Sequence, residues 1–134
     1  MIKCKFTDKR IKSYERCTVC TLRGYVPIGY LPVAIEQWAE THPCVNAECG
    51  SHGIIDFTVS AKAVQSASDG YNPIIGSRLA ESRAKRRAYR FCYTLCRMLA
   101  KHCNTLLGAY AETAEAYEKC IDKEVEYQNK LLSQ

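Results

Sequence analysis

The sequence predicts an α+β chain: a zinc-stabilised N-terminal subdomain with short strands and one helix, followed by two long C-terminal helices. Three observations carry that expectation. Cysteines pair up in the first half as Cys17-x2-Cys20 and Cys44-x4-Cys49, β-branched and aromatic residues cluster in short runs up to residue 60, and from about Ser77 onward the chain holds no proline and turns helical. A length of 134 residues suits one folding unit with two different halves. Asp69-Gly70-Tyr71-Asn72-Pro73 is a strong turn signal. It divides the chain into a knuckle- or ribbon-like metal-binding region, 1–70, and a helical region, 71–134.

In the first region, Ile2 to Phe6 and Ile11 to Tyr14 alternate apolar and basic residues around Asp8-Lys9-Arg10, the pattern of a short hairpin. Leu22 to Leu31 is rich in Tyr, Val, Ile and Gly, and Pro27 confines it to an edge strand or irregular ribbon. Pro32 fits the first turn of a helix running to about Thr41, because proline lacks an N–H that would go unsatisfied there. Cys44 to Gly53 reads as a loop, Ile54 to Ser60 as a strand, and Ala61 to Ser68 as a short helix.

Nine cysteines, an odd number, argue against a closed framework of intrachain disulfides. In a reducing compartment, clustered cysteines are metal ligands and scattered ones pack as small apolar residues. Two thiols separated by two residues can hold one ion from a tight turn, and a second pair from a distant loop completes a tetrahedron. The expected cofactor is therefore one structural Zn2+ on Cys17, Cys20, Cys44 and Cys49, with His52 as the alternative fourth ligand and His42 a more distant candidate. The competing reading is a set of free thiols in a small core.

Charge falls in blocks. Residues 76–103 carry 8 Lys/Arg against 1 Asp/Glu, whereas residues 104–134 carry 3 against 6. On a helical wheel Tyr89, Cys92, Cys96, Leu99, Cys103, Leu106 and Tyr110 share one apolar stripe. Arg83, Arg87, Arg90, Arg97 and Lys101 lie roughly opposite, with Arg86 and Tyr93 beside them. A second seam holds Tyr110, Ala114, Tyr117, Ile121, Val125 and Leu132. Asn104 and Gly108 offer end signals for an antiparallel hairpin, the arrangement expected here. The alternative is one continuous helix, which would need a partner, such as a second copy, to cover its seam. His102 and the cysteines of the first stripe read as buried and inert, and Cys4 and Cys120 as structural.

A face that only needs solubility normally mixes charge signs, so an almost unmixed basic stripe points to a polyanion. Arginine forks match phosphate oxygens, and tyrosines beside them can stack on bases. The expected function is nucleic-acid binding, with Arg83, Arg86, Arg87, Arg90, Arg97 and Lys101 on phosphates and Lys3, Lys5, Lys9, Arg10 and Lys12 extending the surface. The rival is an adaptor or inhibitor that docks its basic helix on an acidic protein surface. Glycine-rich phosphate loops, Gly-x-Ser-x-Gly and His-Glu-x-x-His are missing, so the expectation is non-enzymatic. No apolar run has membrane-spanning length, and the first residues lack the apolar core of a secretory signal, which sets cytoplasm as the expected location.

Overall fold

The structure, a computed structural model, describes residues 2–50, 52–64 and 72–133. Among these residues the elements are β1 (Lys5–Ser13), β2 (Cys17–Pro27), α1 (Val33–Glu40), β3 (Asn46–Cys49), β4 (Ile54–Val64) and α2 (Pro73–Leu132). The four strands form one antiparallel sheet in the order β1-β2-β4-β3. The chain is thus mixed α+β, with the sheet first and a long helix after it. No helix among the described residues is long and apolar enough to cross a membrane.

Alternation builds the sheet. Side chains along a strand point to opposite faces in turn, so Thr18, Cys20, Leu22, Gly24 and Val26 of β2 fall on one face with Ile55, Phe57, Val59, Ala61 and Ala63 of β4, and all are buried. Gly24 is required by its neighbours. It pairs with Phe6 on one side and Phe57 on the other, and those two rings meet edge to face above it, 6.0 Å apart. A Cβ on Gly24 would lie 2.4 Å from the Lys5 carbonyl oxygen. The two loops at that end of the sheet are tied by a single acceptor, the Gly53 carbonyl, which takes the amides of Ile28 and Gly29 at 2.9 and 3.1 Å.

The helical face of the core is made mostly of small residues. Gly76, Ala80, Ala84, Ala88, Phe91 and Leu95 are the buried positions of α2, at steps of four and then three and four. Phe91 then closes the core, stacked on Trp38 of α1 at 5.4 Å and tilted against Phe57 at 6.4 Å. His42 packs its ring edge-on against both Trp38 and Phe91, and its Nδ1 accepts the Cys44 amide at 3.1 Å.

Several local expectations change. Residues 5–13 form one strand with a bulge between Phe6 and Asp8, and the hairpin turn lies later, between Ser13 and Cys17. β2 is an inner strand bounded by Pro27 rather than an edge ribbon. The expected loop 44–53 contains β3, and the part of the expected helix 61–68 that is described, 61–64, continues β4; its remainder lies outside the described residues. Alternate burial of Ala61 and Ala63 explains why alanine, a helix former, sits in a strand here.

The two expected C-terminal helices are one. α2 starts at Pro73, capped by Asn72, whose Oδ1 accepts the Ile74 amide at 3.0 Å, and it passes through Asn104 and Gly108 without interruption. One exposed glycine costs a helix only about 1 kcal/mol relative to alanine, too little to stop it. The expected core stripe Tyr89, Cys92, Cys96 is also displaced: Tyr89 and Cys96 are exposed, and the alanine row faces the sheet instead. By contacts the chain forms two compact units, Met1–Met98 and Leu99–Gln134. In the second unit every described side chain from Cys103 onward is exposed, including the seam of Tyr110, Tyr117, Ile121, Val125 and Leu132.

Replacing Ala84 by leucine is expected to destabilise the first unit by about 1–3 kcal/mol through overpacking at the helix–sheet contact. Urea unfolding checks this, with Ala109→Leu on the exposed helix as a control that stays within about 0.5 kcal/mol of the parent.

Candidate functional site

Among the described residues, no three of the expected zinc ligands have their ligand atoms within 4.8 Å of one another. Cys17 and Cys20 both lie within β2 at a spacing of three, which puts them on opposite faces of the strand. Cys20 is fully buried between Ile11 and Ala61 in the sheet, and burial followed by the nearby Glu81 carboxylate pushes its thiol up. Cys44 and His52 are exposed on loops, and Cys49 ends β3. The group of three metal-capable side chains that does converge among the described residues is Glu36, Glu40 and Cys49, whose ligand atoms lie within 4.8 Å of one another. Glu36 and Glu40 share a face of α1 by their four-residue spacing. The Cys49 amide donates to Glu40 Oε1 at 3.4 Å. Burial, then the charges of Glu40 and Glu36, raise the Cys49 thiol to about 11. A neutral thiol beside two carboxylates is a weak ligand until it loses its proton. The carboxylate spacing was visible in the sequence, but their nearness to Cys49 depends on β3, which was read as loop.

The basic residues assemble more coherently. β3 pairs with β4 only as far as Thr58, which leaves the β4 edge beyond it open among the described residues. Arg83 Nη1 donates to the Lys62 carbonyl at 2.9 Å and Arg87 Nη1 to the Ser60 carbonyl at 2.5 Å, so both guanidinium groups sit on that edge. Each has five N–H donors, and these contacts use one apiece. Arg86 and Arg90, on the next face of α2, join them around a groove of about 600 Å³ whose remaining walls are Ala61, Lys62 and Val64. No carboxylate lines this groove among the described residues. The concavity on the uncovered sheet face, by contrast, brings Arg23 together with Asp8, Glu48 and Asp56 and so has no single sign.

Glu81, the one carboxylate in residues 76–103, is already compensated. Lys9 of β1 and Lys85 of α2 reach Glu81 at 3.5 and 3.4 Å. Burial works to raise the Glu81 carboxyl, but Lys85 and Lys9 outweigh it and hold the group below its ordinary range. Arg97 is exposed further along α2, and Lys101 is exposed in the second unit. Sequence reasoning found the arginines but missed the bonds of Arg83 and Arg87 to the sheet, because nothing local marks an open strand edge 21 to 27 residues upstream.

No protein-family model, curated protein or solved structure matches this chain.

Because the first unit has its own apolar core and no three of the expected ligands come together among the described residues, EDTA is expected to move its thermal midpoint by less than about 2 °C. Loss of a structural zinc worth on the order of 10 kcal/mol would abolish the transition instead, as calorimetry would reveal. Alkaline pH should act through Cys92. Burial first, and the neighbouring Cys4 thiol second, raise it from 9.0 to about 12. The folded chain keeps a proton that the unfolded chain releases, so this contribution is complete below pH 9.0 and declines as pH rises towards 12. Urea unfolding between about pH 8 and about pH 10.5 should show that decline, and Cys92→Ser should flatten part of it.

Proposed function

We propose that this chain is a non-enzymatic nucleic-acid-binding protein that holds phosphates in the groove between α2 and the outer edge of β4. One observation carries the reading: Arg83, Arg86, Arg87 and Arg90 line a single groove with Lys62, and none of them faces a carboxylate there among the described residues. Arg83 and Arg87 are oriented by their bonds to the Lys62 and Ser60 carbonyls, which lowers the entropy lost when a phosphate is gripped. Arg86 and Arg90 are exposed and supply the mobile part of the grip. Contacts of this kind fix a nucleic-acid backbone in place without reading its sequence. The groove is built without Cys17, Cys20, Cys44, Cys49 or His52.

Filter binding of labelled nucleic acid over a series of salt concentrations tests the proposal. Affinity should fall steeply with salt, and Arg86→Ala and Arg90→Ala should each reduce the slope of log K against log salt by about 1. Lack of binding at low salt would reject the proposal and leave an acidic protein surface as the partner for this groove.

A further inference from the structure

Beside the arginine groove, α2 carries a second shallow concavity of about 410 Å³, lined by Ser82, Lys85, Arg86, Tyr89, Arg90 and Tyr93. We propose that it seats two unstacked bases of a single-stranded nucleic acid on Tyr89 and Tyr93, while Arg86 and Arg90 hold the flanking phosphates. The proposal rests on the phosphate-binding reading above and makes the ligand more specific.

Exposure and spacing point the same way. Tyr89 is 54% exposed and Tyr93 67% exposed, and Lys85, Arg86 and Arg90 line the same concavity as the two rings. Their four-residue spacing puts both on one side of the helix. The Tyr89 ring is steadied from behind by an edge contact with Phe6, 5.9 Å between centroids at 69°. A stacking platform needs this combination of an anchored ring and an open face.

Four residues of helix advance about 6 Å. Successive bases within a duplex strand advance only about 3.4 Å and keep their faces covered. Two neighbouring bases can therefore meet both rings only if the strand is extended and its bases are separated. Arg86 and Arg90 line both concavities, so a strand seated on the tyrosines keeps its backbone within reach of the arginine groove. An acidic peptide would satisfy the arginines equally well, but its acidic side chains have no ring faces to stack on the tyrosines. Glu81 does not oppose a polyanion here, because Lys9 and Lys85 already neutralise it.

Fluorescence anisotropy with a short labelled DNA strand, and with the duplex formed by adding its complement, tests this at low salt. The single strand should bind more tightly than the duplex, and Tyr93→Ala should weaken single-strand binding by about tenfold while changing duplex binding by less than about twofold. Tyr93→Phe, which keeps the ring, should bind like the parent. Tyr93 is exposed, so these variants should keep the parent's circular dichroism spectrum. Equal affinity for strand and duplex, or Tyr93→Ala binding the strand like the parent, overturns the stacking proposal and leaves the phosphate groove standing. Failure of the parent to bind either ligand overturns both.

Discussion

The burial of the small-residue row Gly76, Ala80, Ala84 and Ala88 of α2 is the constraint on which the rest of the first unit depends. The buried row begins with small residues and ends with the larger Phe91 and Leu95. There Phe91, Trp38, Phe57 and His42 interlock, and the short helix α1 is fastened to the same core. With the alanine row inward, the positions one step round the helix are set as well. Arg83 and Arg87 bond to the rim of β4, Arg86 and Arg90 line the groove beside it, and Tyr89 and Tyr93 are exposed next to them.

Much of this organisation was legible where local chemistry decides it. Pro32 opens α1 and the residues from 54 form a strand, each through a backbone preference that needs no tertiary partner. The long helix was legible in kind but not in extent. Asn72-Pro73 is a helix-opening pair, a side-chain cap followed by a residue that needs no amide partner, yet in the sequence it reads equally well as a turn.

Two readings turned on signals of comparable size that competed. Thr18, Cys20, Leu22, Gly24 and Val26 alternate as a half-buried strand does, but the Cys-x2-Cys spacing was given more weight than the alternation that contains it. In α2 the apolar stripe is expected among large side chains, whereas the buried row is mostly small ones. The arginines at the rim were legible as a group. Their separation into those bonded to β4 and those facing outward was not, since it depends on how far β3 extends along β4.

The shortness of β3 has one more effect. A strand whose carbonyls lie bare along a flank is a template onto which another chain's strand can zip, the first step towards sheet-to-sheet polymerisation. At Ser60 and Lys62 that template is occupied by the two guanidinium groups from α2, so an incoming strand meets positive charge and acceptors already taken. The same pair of side chains thus shields the flank from unwanted strand addition, a duty independent of whatever ligand the groove receives.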